Sequence, residues 1–555
     1  MEMNIKKKVG FLLFVLVVIC FCTKQTDNDN PPTRTGAKET SASSPIILNV
    51  CLKRPYFSSF LPYRFFYNND SHIYELIYNT LITADYSGRL APEVAECWEV
   101  SSDGKEYTFW LRKNITFHNG KLLTADDVLF SLKQLVSHTY KQNAELCCIE
   151  GTGDFVARRT PDITGLEKID DFKFKVKLKK QCKYFLHFLS SKSTSIIPEN
   201  FGGLSQTDFQ EHPIGSGPFK FQNYQDKTLI KGFNFRKFTF TRNTDYFNFK
   251  SAKSTGKNKK TITKMKTTTT TATGNVDQLN LYLPREELDL GTLLYFDLFV
   301  KDITPQQKDV LTNRNVINSS YDLETILAIN PKENQWIQNK EIRQLINYSI
   351  NREQLVASLS SGNCIPAHLL MPVNLFGHDP YYRLDYQKAR QLDTLKAENA
   401  VTFSLLIPPR QKKLAEYIRE ELKKVNINMK IILVDAETYY QKIEKSPEHS
   451  IILTGSADYP SPYNFLINLY RPDGLLNILK ISSPQVLALI DKLPLIDIKE
   501  EVEILKHITR LIEEESIYIP LNCYANIIVM KPEIKRVLFK YPSIINFSSI
   551  EVENE

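Results

Sequence analysis

The chain has 555 residues, 42% of them hydrophobic and 24% charged, with 20 Gly, 27 Pro and 9 Cys. At about 100–200 residues per domain this length divides into roughly two to four packed units, and the composition excludes a disordered, collagen-like or small disulfide-scaffold protein. The formal charge of +7 is local: Lys250, Lys253, Lys257, Lys259, Lys260, Lys264 and Lys266, with no acidic residue among them, match the whole excess, so a fold-wide basic face for nucleic acid has no support.

Lys6, Lys7 and Lys8 precede an apolar run from Val9 to Cys22, the pattern of an export signal in residues 1–22. That run is shorter than the ~20 apolar residues a spanning helix needs. Cys20 and Cys22 end it, and a polar tether, residues 23–45, follows. Lipidation at one of these two cysteines competes with simple cleavage, because bulky Ile19 and Phe21 stand just before them. Either way the mature protein is expected outside the cytoplasm. The remaining cysteines, Cys51, Cys97, Cys147, Cys148, Cys182, Cys364 and Cys523, are odd in number, so at least one thiol stays unpaired, and adjacent Cys147 and Cys148 are poorly placed to bridge each other. No metal-ligand spacing is present, and no cofactor is expected.

Ile46 to Leu52 reads as an opening strand, and Ile73, Ile77 and Leu81 have helical spacing. In the stretch Ala95-Glu-Cys-Trp98-Glu-Val-Ser-Ser-Asp103-Gly104-Lys-Glu-Tyr107-Thr-Phe109-Trp-Leu111, Asp-Gly marks a hairpin turn between two strands. Phe117-His-Asn119-Gly120 turns again, and Thr124 is an N-cap candidate for a helix with Asp126 and Asp127 in its first turn. His212-Pro-Ile-Gly215-Ser-Gly217-Pro218-Phe219-Lys220 invites a phosphate-loop reading, but it lacks the Gly-Lys-Ser/Thr ending, and a strand entered from a glycine turn is expected instead. Downstream stand Arg242-Asn243-Thr-Asp245-Tyr246-Phe247, then Asn339 to Arg352 with Ile342, Leu345, Ile346 and Ser349 on one helix face, and finally Gly455-Ser456-Ala457-Asp458-Tyr459-Pro-Ser-Pro462.

In this order, across roughly residues 46 to 545, these blocks resemble the bacterial extracellular solute-binding proteins of family 5, the substrate-binding proteins of oligopeptide and dipeptide ABC transporters. The resemblance implies an α/β, two-lobed periplasmic-binding-protein-like fold of type II. Lobe I would hold residues 46–70, 206–320 and 520–555, an extra subdomain residues 71–205, and lobe II residues 321–519, with the chain crossing near Tyr321 and returning near Pro520. The Lys- and Thr-rich segment 248–274 departs from the family's pattern and reads as a solvated loop.

The resemblance implies capture of oligopeptides by main-chain pairing and by charges for the peptide termini. Residue by residue, Asp458 matches the anchor of the peptide amino terminus; Thr454, Gly455 and Ser456, with Phe66, Tyr67 and Asn68, match the main-chain partners, and Tyr459 stands near the cleft. An Arg that helps hold the peptide carboxylate in some relatives is replaced by Ile452. The chain is thus expected to be a monomeric, non-enzymatic, periplasmic receptor that delivers peptides to ABC permease subunits. The competing ligands are a nickel complex, haem, glutathione or a sugar in the same fold. A surface adhesin or sensor lipoprotein is the competing function class, and a secreted hydrolase, for which no nucleophile motif is present, is a third.

Overall fold

Three β-sheets and the helices packed on them organise the computed structural model, which describes residues 44–53, 56–64, 68–85, 87–140, 143–251, 274–303, 305–319, 321–359, 362–371, 401–444, 448–474 and 476–553. The export-signal, tether and lipidation readings, together with most of the Lys- and Thr-rich segment, lie outside these residues. Among the described residues, no helix is long and apolar enough to cross a membrane.

The opening strand, Ile47–Cys51, lies inside a seven-stranded sheet and runs parallel to Gln278–Pro284 on one side and to Leu298–Val300 on the other. The hairpin Phe219–Ile230 and Phe233–Arg242 extends one edge, and Ile527–Met530 and Asn315–Asn318 extend the other. The glycine segment before this hairpin enters a strand, as expected. A Cβ on Gly215 would lie 1.9 Å from the Ile77 carbonyl oxygen, and one on Gly217 would lie 2.5 Å from Leu76 O. The Gly217 N–H donates to Ile77 O at 2.7 Å. These glycines therefore let the chain pass over the end of the helix Asn68–Ile77, which explains them without any phosphate.

A second sheet has six strands in the order Cys364–Pro366, Tyr518–Tyr524, Leu323–Ala328, Ser450–Gly455, Val401–Ile407 and Ile427–Leu433. The helix expected around Ile342 is Lys340–Ser349; the Asn339 side chain caps it by accepting from the Glu341 N–H at 2.8 Å. Ile342, Leu345 and Ile346 are buried against Leu327, Ile329 and Ile452 of the sheet. At the end of the same block, Arg352 is fully buried and bonds to the carbonyls of Pro520, Asn347 and Ile350 at 2.8–3.1 Å.

A four-stranded antiparallel sheet, Ala95–Val100, Glu106–Leu111, Lys173–Lys177 and Leu166–Asp170, carries the Asp-Gly hairpin, with Gly104 at φ +68°. Next to it, Thr124 stands at the N-cap of the helix Ala125–Thr139, and Asp127 accepts from the Thr124 N–H at 2.8 Å.

The chain leaves the seven-stranded sheet after Asn318 and enters the six-stranded one at Leu323, around Tyr321. Its return comes further along than Pro520: Tyr518–Tyr524 stays in the six-stranded sheet throughout, because it pairs with both Leu323–Ala328 and Cys364–Pro366, and the passage falls at Ala525 and Asn526. The two crossings are bonded to each other. Ser319 N–H donates to Asn526 O, and Asn526 N–H to the Ser319 hydroxyl, both at 2.9 Å.

Candidate ligand-binding site

Strand Ser450–Gly455 is central in the six-stranded sheet, and Asp458 follows it in the turn that leads into the helix Pro462–Tyr470. Asn464, on that helix, reaches back: its side-chain oxygen accepts from the Asp458 main-chain N–H at 2.8 Å. Asp458 is half-buried. Its carboxyl is pushed up to about 6 by burial, which outweighs the opposing bond from Asn464. No Lys, Arg or His among the described residues forms an ion pair with it. It is therefore a carboxylate short of a cation, with part of its surface still reachable.

The surroundings add negative charge. Tyr541 is buried, and its hydroxyl is raised first by burial and then by the neighbouring carboxylates of Asp322 and Asp458. Asp322 Oδ2 accepts from the Ser543 hydroxyl at 2.6 Å. Glu145, fully buried in the short helix Ala144–Cys148, is held above its ordinary range by burial, and Asp458 pushes in the same direction. A cationic group arriving at Asp458 would thus meet acidic neighbours, while the Arg471 cation acts on Glu145 in the opposite sense.

Tyr459 turns into the core. Its ring is buried edge-on to Phe188, with centroids 6.1 Å apart, and its hydroxyl donates to Glu145 Oε1. Four residues on, Tyr463 stacks on Tyr184 at 5.2 Å, and the Tyr184 hydroxyl donates to Glu501, which also takes the Lys183 ammonium at 2.6 Å. The turn carrying Asp458 is thus gripped by residues from 144–188, far away in sequence.

The main chain of strand Ser450–Gly455 pairs antiparallel with Leu323–Ala328, with Thr325 opposite Thr454 and Glu324 opposite Gly455. On its other edge, strand Val401–Ile407 reaches only Ser450 and Ile451. The Ile452 carbonyl there accepts from Gln411 Nε2 and the Tyr439 hydroxyl, both at 3.1 Å. Because main-chain groups alternate sides along a strand, Thr454 turns to this same edge, where no described strand covers it, while Gly455 turns back toward Glu324; Ser456 lies just past the strand's end. The absence of a Cβ at Gly455 matters for packing: one there would meet Leu476 Cδ1 at 2.8 Å.

Phe66 and Tyr67 lie outside the described residues, and Asn68 opens the helix Asn68–Ile77. Ile452, in the position of the carboxylate-binding Arg of some relatives, is buried in the core beside Leu327. Sequence reasoning missed Asn464 and Glu145. Asn464 stands six residues after Asp458 in the same block, which was a usable signal; Glu145 has none, since its partner is 314 residues away.

The model of the bacterial extracellular solute-binding proteins, family 5, matches residues 89–477. The chain belongs to this family. Among its family-5 relatives, Di/tripeptide-binding protein 1 of Pseudomonas aeruginosa is 25% identical, over 72% of this chain and 74% of its own length. Heme-binding protein A of Haemophilus influenzae is 22% identical over 94% of both chains. Of solved structures, the ABC transporter-associated periplasmic binding protein DppA from Helicobacter pylori, in complex with peptide STSA, superposes with a TM-score of 0.72 at 20% identity, covering 92% of this chain and 98% of that one. The fold is accordingly the α/β periplasmic-binding-protein fold of family 5, whose members are substrate-binding transport proteins and not enzymes.

Proposed function

We propose that this protein is the extracytoplasmic receptor of an ABC importer, that its ligands are short peptides, and that Asp458 holds their α-amino group. The observation that carries this reading is a part-accessible carboxylate with no cationic partner among the described residues, set among acidic neighbours one turn beyond a strand edge that no described strand covers. A peptide laid along that edge pairs with the main chain of Thr454 and Ser456, and its ammonium reaches Asp458 as a charge-assisted bond. The seven- and six-stranded sheets are the cores of two lobes, and the paired crossings at Ser319 and Asn526 are their hinge, closing on the ligand. The receptor acts as a monomer, changes nothing in the peptide, and presents it to a membrane permease. Peptide-binding proteins among the relatives and solved structures support the ligand class.

A haem-binding relative that spans nearly the whole chain keeps a second ligand class in view. Thermal unfolding of the mature protein against free and N-acetylated di- to pentapeptides separates the two, since a ligand at 100 times its Kd adds about 2.7 kcal/mol of stability. Stabilisation by free but not acetylated peptides is the expected result. Stabilisation by haem with no response to any peptide would overturn the peptide reading.

A further inference from the structure

Cys148 ends the helix Ala144–Cys148 at 8% exposure, and Cys182 is 1% exposed in the segment that leads to Tyr184. The backbone ties these segments side by side: Lys179 N–H donates to Cys148 O at 2.7 Å, and Ile149 forms a bridge with Leu178. Their thiols meet. The Cys182 thiol donates to the Cys148 sulfur, which holds Cys148 below the ordinary thiol range and, with burial adding to it, Cys182 well above. Neighbouring Cys147 is directed elsewhere, its thiol on the Tyr140 carbonyl at 3.2 Å.

We propose that Cys148 and Cys182 close into a disulfide in the exported protein, fastening together the two segments that grip the Asp458 turn. Glu145, three residues before Cys148, takes the Tyr459 hydroxyl, and Tyr184, two residues after Cys182, stacks on Tyr463. The bridge thus braces both supports of the candidate site at one point. Closure breaks two S–H bonds and forms one S–S bond. The two electrons and two protons pass to a disulfide oxidant, either a thiol-disulfide oxidoreductase of the cell envelope or oxidised glutathione, which becomes a pair of thiols. The reaction takes place during folding, before both sulfurs are buried: one thiolate forms the mixed disulfide with the oxidant and the other attacks it. The oxidising compartment is the extracytoplasmic one that the family occupies; the peptide reading is not required.

The test is a disulfide map of the purified mature chain, refolded from the reduced state in a reduced/oxidised glutathione buffer, quenched in acid, alkylated and digested with trypsin. The expected product joins peptide 142–158 to peptide 181–183, lighter by two hydrogens than the reduced pair, with fragmentation placing the bond on Cys148. The same map on Cys147→Ser must be unchanged. Recovery of Cys148 and Cys182 both alkylated, or a bond from Cys147 to Cys182, would overturn the proposal. As a second readout, dithiothreitol should lower the melting midpoint of the oxidised wild type by several degrees and leave the Cys148→Ser/Cys182→Ser variant unmoved. Neither measurement involves a ligand, so failure here and failure of the peptide reading are told apart.

Discussion

The main-chain N–H of Asp458 donates to the Asn464 side-chain oxygen at 2.8 Å, so the first helix turn after the candidate anchor fixes the anchor's own backbone. The carboxyl it positions is raised by burial to about 6. A bound ammonium requires the ionised form, so affinity for free-amine peptides is expected to hold at neutral pH and to fall about tenfold per pH unit below about 6. Asp458→Asn should remove both the binding and its pH dependence while leaving the melting midpoint of the free protein intact or higher. Calorimetric titration between pH 4.5 and 7.5 checks this, and a flat profile in the wild type would count against Asp458 as the anchor.

Replacing Asn464 tests the support separately from the anchor. Asn464→Ala leaves the Asp458 N–H without its acceptor, at a stability cost of about 1–3 kcal/mol. It also removes a bond that favours the ionised carboxylate. The pH midpoint of peptide binding should therefore move upward from that of the wild type. A loss of stability with an unmoved midpoint would mean that Asn464 only braces the turn.

Away from the site, Lys540 lies 2.8 Å from Glu75 and 2.9 Å from Glu93, and Lys192 lies 2.5 Å from Glu75, with Glu75, Glu93 and Lys192 buried and Lys540 partly so. This network joins the C-terminal hairpin, Ile534–Lys540 with Ile544–Val552, to the helix Asn68–Ile77 through Glu75 and to the segment before the strand Ala95–Val100 through Glu93. Lys540→Met takes the nearest cation from buried Glu93 and leaves Glu75 with Lys192 alone, and is expected to cost about 3–5 kcal/mol, with partial recovery when Glu93→Gln is added. Burial alone would raise Glu93, but Lys540 and Lys192 outweigh it and hold the carboxyl down to about 2. A depressed carboxylate contributes its stability above the unfolded value near 4.5, and that contribution fades as pH falls toward 2. Acid unfolding followed by circular dichroism should show the wild type losing stability across that window and Glu93→Gln losing less.

The comparison of sequence with structure divides by range. Elements carried by local pattern were readable: the opening strand Ile47–Cys51, the Asp103-Gly104 hairpin, the capped helices after Thr124 and Asn339, and the Asp458 turn. Helix edges shifted where tertiary contacts supplied the start. The helix expected around Ile73, Ile77 and Leu81 begins at Asn68 and ends at Ile77, with Asp70 accepting from the Ser58 N–H at 3.0 Å. Contacts between distant segments left no local trace. Tyr459 beside an anchor reads equally as a cleft wall or as a core ring, and only Glu145, on a helix too short for periodicity, decides that it packs. The six-stranded sheet likewise keeps Tyr518–Tyr524 to its end, past Pro520, which sits opposite Ile326 where the ladder shifts register, a place that tolerates the missing proline N–H.

Glu324 gives the last prediction. It lies across the ladder from Gly455, fully buried, and neither carboxyl oxygen has a hydrogen-bond partner among the described residues. Burial is the cause acting on its carboxyl and drives it well above the ordinary range, favouring the neutral form in the folded protein. The sign is opposite to that of Glu93. The folded state keeps a proton that the unfolded chain releases above about 4.5, and each further pH unit costs about 1.4 kcal/mol until the folded group itself ionises. Glu324→Gln, equal in size and uncharged, should be more stable than the wild type at pH 8 and nearly equal to it at pH 4.5, and Glu324→Met should be more stable still, because it buries no polar atom without a partner. Urea midpoints at the two pH values decide the matter, and a wild type as stable as Glu324→Gln at both would place an unrecognised cation beside the carboxylate.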